Sequence, residues 1–172
     1  MLFELDVDLA DDGWSDVIAD SEAVARRAVE AALAGGLPDA PFGKALSSVP
    51  ARGVEVALCL ADDATIRTLN RDYRGQDKAT NVLAFAALDD DAPLPPAGPL
   101  PLGDVIIARE TLVAEALRDG KDVKAHFTHL VVHGILHLLG YDHMTDDDAE
   151  RMESLEIAIL SGLDLPDPYC PL

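Results

Sequence analysis

The sequence predicts an α+β domain. Four short segments alternate apolar and polar residues with the period of two that marks a half-buried strand. Between and after them lie helical stretches, with capping residues before them and glycines behind. One of these, from about Val123 to Leu139, is apolar nearly all round, the pattern of a helix buried by its neighbours.

The elements follow in order. Phe3, Leu5, Val7 and Leu9 alternate with Glu4, Asp6 and Asp8, giving a first strand. After a loop through Gly13 and Trp14, Ser21 is placed to cap a helix over Glu22 to Ala34, which Gly35 and Gly36 stop. Residues 37–50 carry Pro38, Pro41 and Pro50 and read as a loop. Val54, Val56, Leu58 and Leu60 form a second strand. Asp62 or Asp63 then caps a helix through Ile66, Leu69 and Tyr73 that ends at Arg74-Gly75. A third strand spans Thr80 to Ala86, an acidic, proline-rich surface loop spans 89–101, and a fourth strand spans Leu102 to Ala108. Helices follow over Glu110 to Arg118 and over the buried stretch. The last one starts on Asp146-Asp147-Asp148, which suit the positive end of a helix dipole, and carries an inward stripe of Met152, Leu155, Ile159 and Leu160. Pro166, Pro168 and Pro171 mark a non-helical tail.

At 172 residues the chain is one domain, 1–172, long enough to bury a core. The N-terminus is acidic and lacks an apolar signal core, and no run of about 18 apolar residues offers a membrane span. Cys59 and Cys170 have neither metal-like nor redox spacing, which fits a reduced, cytoplasmic compartment. The net charge of −19, from 32 acidic and 13 basic residues, argues against unaided binding to nucleic acid. Against that background Arg67, Arg71, Arg74 and Lys78 form a local positive excess. Arg67 and Arg71 read as a solvated helix face. Arg74 and Lys78 sit where the helix breaks toward a strand, a usual place for ligand contacts.

The chemistry concentrates in His133-Gly134-Ile135-Leu136-His137-Leu138-Leu139-Gly140-Tyr141-Asp142-His143. Histidines at i and i+4 share one helix face. Gly140 offers a helix stop, so the chain can turn back and bring His143 in as a third ligand. Three neutral imidazoles leave one tetrahedral position of a zinc ion open, as catalytic sites do. The spacing matches the zinc-peptidase pattern H-E-x-x-H-x-x-G-x-x-H, except that Gly134 replaces the glutamate that serves as general base. His126 and His129 share the face, but His126 lies roughly 10 Å before His133 and cannot hold the same ion. Packing is the reading for both, with support of a ligand or contact with substrate as the alternatives.

Three motifs together resemble the YbeY family of bacterial metal-dependent endoribonucleases and ribosomal RNA maturation factors. The histidine stretch fits H-G-x-L-H-L-x-G-Y-D-H. Leu69 to Gly75, followed by Asp77 to Phe85, fits L-N-x-x-Y-R-G-x-D-K-x-T-[DN]-V-L-S-F. Leu102-Gly103-Asp104-Val105-Ile106-Ile107 fits L-G-D-I-x-I. The likeness covers about residues 54–160, with Ala79 where the family often has proline and Ala84 where it has serine.

The resemblance implies a small mixed four-stranded sheet packed against the central helix, with further helices around it. It implies one zinc ion on His133, His137 and His143, with Arg74 taking part in RNA cleavage. The implied process is maturation of the 3′ end of 16S rRNA and ribosome quality control. The implied partners are ribosomal RNA in the small subunit, ribosomal proteins and a ribosome-associated GTPase, with no role for DNA or membrane. Arg74 and zinc would clamp the scissile phosphate, with Lys78 assisting in substrate binding. Two rival readings are a metal-dependent peptidase or amidase, opposed by Gly134, and a non-catalytic ribosome-assembly factor with structural zinc, opposed by the open three-ligand set.

Overall fold

The computed structural model describes residues 2–46, 52–89, 93 and 95–170. Parts of the two expected loops, 47–50 and 90–92 with residue 94, lie outside the described residues, as does Pro171.

The alternating segments become one four-stranded sheet: β1 Phe3–Leu9, β2 Val54–Ala61, β3 Val82–Ala86 and β4 Leu100–Ala108, in the order β1-β2-β4-β3. β1 is parallel to β2 and β2 to β4, while β3 runs antiparallel to β4, so the sheet is mixed as expected. In β2 the period of two buries Val54, Val56, Leu58 and Leu60 on one face. Among the described residues five long helices surround the sheet: α1 Ser21–Gly36, α2 Asp63–Arg74, α3 Arg109–Arg118, α4 Val123–Leu138 and α5 Asp146–Gly162. Among the described residues no helix is long and apolar enough to cross a membrane.

The expected central helix is α4. Asp122 caps it by accepting from the Ala125 N–H at 2.9 Å. It packs on β3 and β4 and touches α1, α3 and α5. Phe127, Leu130, Val131, Val132, Ile135, Leu136 and Leu138 are all buried, at about 1.5–3 kcal/mol per large apolar side chain withdrawn from water. Gly134 brings the helix close to the sheet. A β-carbon there would lie 2.6 Å from Val105 Cγ1 of β4, so a neighbouring strand, not a substrate, requires the glycine.

Several boundaries differ from the sequence reading. Ser21 does not cap α1. Asp20 takes the cap position without a side-chain bond, and Ser21 is buried in the first turn. Gly35 and Gly36 do not stop α1 but lie within it, because close packing requires them: β-carbons there would meet Ile159 at 2.8 Å and Leu139 at 2.7 Å. The expected loop at Trp14 holds a one-turn helix, Trp14–Val17. Its indole is fully buried, donates to the Ala61 carbonyl at 2.9 Å and packs 5.4 Å from Phe127. The stretch after α1 likewise contains a 3-10 turn at Leu37–Asp39 and a helical turn at Gly43–Leu46.

Strand β3 begins at Val82, because Asn81 turns its side-chain oxygen onto the Val82 N–H at 2.7 Å. β4 begins two residues early, at Leu100. Pro101 is tolerated in it because β3 pairs only as far as Gly103, which leaves β4 an edge on that side.

The start of α2 is tied to the start of α3. Asp62 caps α2, accepting from Thr65 N at 2.8 Å. Asp63 accepts from the Thr111 N–H at 3.0 Å and from its hydroxyl at 2.7 Å, while Glu110 accepts from the Asp63 N–H at 2.9 Å. Such a cap contributes about 1 kcal/mol.

Candidate metal centre

His133 and His137 project from α4 one turn apart, with their Nε2 atoms 3.0 Å from each other. Leu139 ends the helix, and Gly140 turns the chain at φ 94°, a conformation that favours glycine. The turn delivers His143, whose ring centre lies 5.0 Å from that of His137 and 5.9 Å from that of His133. One ligand nitrogen from each of the three falls within 4.8 Å of the others, so the group could hold a metal ion.

Hydrogen bonds decide which nitrogens face inward. His137 Nδ1 donates to the Tyr141 carbonyl at 2.9 Å, since a carbonyl can only accept. His133 Nδ1 donates to Glu156 Oε1 at 2.6 Å. As neutral rings both then present their Nε2 lone pairs to each other, with the two atoms 3.0 Å apart. Two such acceptors repel unless a cation lies between them, so the donor set fits a divalent metal. Burial, then the neighbouring His133 and His143, push the His137 pKa down to about 4, which keeps that imidazole neutral and ready to ligate at pH 7.

Glu156 is fully buried on α5. Burial would raise its pKa, but the adjacent His129 and His133 imidazoles, with help from Tyr169, outweigh it and hold the group at about 2. It is thus a carboxylate, and it orients His133 from behind. Sequence reasoning missed it. The available signal was a carboxylate between Met152 and Ile159 on the inward stripe of α5.

A cleft of about 590 Å³ opens over the three histidines. Arg74, the last residue of α2, lines its other side. The guanidinium is exposed, donates to the Ala84 carbonyl at 3.0 Å and lies 5.7 Å from the centre of the Phe85 ring. The contact uses the backbone of residue 84, so it survives alanine in the family's serine position. Lys78 is exposed and does not line this cleft. It sits in the turn after α2, where its carbonyl accepts from Asn70 at 2.9 Å. Asp142 lines the cleft and accepts from the His143 backbone N–H at 2.7 Å. The ligand imidazoles take their support from Glu156 and the Tyr141 carbonyl, not from Asp142.

The family model described as Endoribonuclease YbeY matches residues 41–164. The chain belongs to the YbeY family. A relative from Paramagnetospirillum magneticum named Endoribonuclease YbeY is 52% identical over 167 residues, covering 96% of this chain and 95% of the relative. Another of that name, from Rhodospirillum rubrum, is 51% identical, covering 96% of this chain and 80% of the relative. A solution structure of a Thermotoga maritima protein covers 98% of this chain and 99% of its own at 20% identity, with a TM-score of 0.49, a likeness too loose to carry weight.

The YbeY match spans all three histidines, Arg74 and Glu156 and ends before the C-terminal tail. The other two helix histidines point to different carboxylates. His126 Nε2 lies 2.8 Å from Glu115 Oε2, which also accepts from Asn81 at the cleft edge at 3.0 Å. His129 Nε2 lies 3.6 Å from Glu156 Oε2.

Proposed function

We propose that this YbeY-family endoribonuclease is a zinc enzyme that cuts single-stranded RNA, acting in 16S rRNA 3′-end maturation and ribosome quality control. The observation that carries the metal dependence is the approach of the His133 and His137 Nε2 atoms to 3.0 Å, with the Nδ1 of each ring held from behind by an acceptor. Zinc held by His133, His137 and His143 would supply Lewis-acid polarisation of the scissile phosphate.

The chain's own residues do the rest. Arg74 offers phosphate oxygens the guanidinium donors it does not spend on the Ala84 carbonyl. Asp142, the one carboxylate among the described residues that line the cleft, accepts the proton of the attacking oxygen. The net charge of −19 disfavours capture of free RNA, so the substrate is presented within the small subunit, with ribosomal proteins and a ribosome-associated GTPase as partners in the cytoplasm.

Against a peptidase reading, Val105 fills the space beside Gly134 where a general base would stand, and Glu156 lies behind His133, away from the cleft.

The test is cleavage of single-stranded RNA, its duplex and an unstructured peptide by zinc-loaded protein. The expected result is cutting of the single strand alone. It should fall about 10²–10³-fold in Arg74→Ala and about 10²–10⁴-fold in Asp142→Asn, with bound zinc unchanged in both. Intact RNA with every folded, metal-loaded preparation, small subunits included, would instead support a non-catalytic assembly role.

A further inference from the structure

The C-terminal tail reaches the back of the metal centre. An Asx turn, in which the Tyr169 N–H donates to Asp167 Oδ1 at 2.8 Å, shapes the backbone at Tyr169, a residue 43% exposed whose hydroxyl end turns toward Glu156. Lys121 pins the tail by donating to the Pro168 carbonyl at 2.8 Å. The Tyr169 ring packs edge-on against His129, with centres 5.5 Å apart. Its hydroxyl donates to Glu156 Oε2, while Oε1 of the same carboxylate accepts from His133 Nδ1. Burial and the adjacent carboxylate raise the pKa of the phenol, so it stays protonated and acts as the donor.

We propose that Tyr169 is a positioning residue of the metal centre: by holding one oxygen of the buried Glu156, it fixes the other on His133 and so sets how firmly the metal is held. The proposal rests on the three-histidine metal reading. Glu156 is fully buried, so its carboxylate takes its orientation from the protein groups around it. Without the phenol its carboxylate keeps only histidine contacts, one at 2.6 Å and one at a loose 3.6 Å. It can then rotate, and His133 loses the acceptor that fixes its tautomer and ring angle. Partners of this kind, one bond behind a ligand, alter metal affinity about 10–100-fold. Tyr169 acts one bond further back, so an effect near the lower end, about tenfold, is expected. Tyr169 lies five residues beyond the end of the family match at residue 164.

The same side chains admit another arrangement. His129, His133 and Glu156 have ligand atoms within 4.8 Å of one another and could themselves hold an ion. In that case the phenol would compete with a second metal.

The experiment measures zinc affinity by chelator competition, zinc stoichiometry, the visible spectrum of the cobalt-substituted protein, and the melting point of the metal-free protein. It does so for wild type, Tyr169→Phe and His143→Ala. Phenylalanine keeps the ring on His129 and removes the hydroxyl alone. The expected result is one zinc per chain in wild type, about tenfold weaker zinc in Tyr169→Phe with a shifted cobalt spectrum, and a much larger loss in His143→Ala. Unchanged affinity and cobalt spectrum in Tyr169→Phe, with His143→Ala impaired, would overturn the proposal and leave the metal reading standing, whether or not the melting point moves. Unchanged zinc binding in His143→Ala would overturn both. Two zinc ions per chain, with tighter uptake of the second in Tyr169→Phe, would also overturn it in favour of competition. Should Tyr169→Phe fail to fold, Asp167→Ala, which loosens the turn but keeps the phenol, must weaken zinc binding for the proposal to survive.

Discussion

His126 and His133 on α4 each lie within hydrogen-bond distance of a glutamate, and of the two only His133 joins the three-histidine group that could hold a metal ion. His126 lies 2.8 Å from Glu115, and His133 lies 2.6 Å from Glu156. The pairs look alike until the second nitrogen of each ring is followed. His126 Nδ1 is buried and has no hydrogen-bond partner among the described residues. His133 Nε2 instead faces His137 Nε2 at 3.0 Å, at the floor of an open cleft. The glutamates differ too. Glu156 is fully buried, whereas the Glu115 side chain keeps 22% of its exposure and shares its oxygen with Asn81. A histidine–carboxylate pair is therefore not a site. It becomes one where the other nitrogen converges with further donors.

The two pairs should diverge most at the histidines themselves. His133→Ala is expected to lower zinc affinity by well over 100-fold, more than loss of an outer partner does, and to abolish RNA cleavage. His126→Ala should retain one zinc per chain. Metal analysis after dialysis decides, and equal losses would erase the distinction.

Acid is the next lever. His137 has its pKa lowered from 6.5 to about 4, so between those values the unfolded chain binds the proton that the folded protein refuses. Stability of the metal-free protein is then full above about pH 6.5 and falls as the pH drops toward 4, by about 3 kcal/mol from this group. Glu156, lowered from 4.5 to about 2, extends the loss below pH 4.5. Urea titrations across pH should show this slope, and His137→Ala should flatten its upper part.

The glutamates come third. Glu156→Gln should weaken zinc about 10–100-fold, or about 1.4–2.7 kcal/mol, while Glu115→Gln leaves it within about twofold. Equal shifts in a chelator competition would count against the orienting role of Glu156.

The smallest effect is expected at Gly134. Alanine there gains about 1 kcal/mol of helix propensity but forces Val105 aside, at about 1–3 kcal/mol. The net loss is small, and adding Val105→Ala should reverse its sign in a thermal melt.

Much of this was legible in the residues. The alternation of Val54 to Leu60 and the capping aspartate at 62 report on their own neighbours in the chain, which suffices for a strand and a helix start. The convergence of the three histidines was legible for the same reason: i, i+4, a glycine and i+10 are local geometry. What stayed hidden depends on elements far apart in sequence. Gly35 and Gly36 read as a stop because a helix glycine that admits Ile159 looks the same in sequence as one that ends a helix. Glu156 could be told from an exposed glutamate only once α5 was known to lie behind His133. Tyr169 sits in a proline-rich tail whose path no local pattern dictates.

The fastening between the starts of α2 and α3 has a consequence at the far end of α2. Asp62 and Asp63 fix where that helix begins, and Arg74, twelve residues on by count, is where it ends. Each helical residue advances about 1.5 Å and turns about 100°. The arginine is thus aimed by arithmetic. One residue added anywhere along α2 would swing its guanidinium more than a quarter-turn off the cleft, though no side chain in the site had changed.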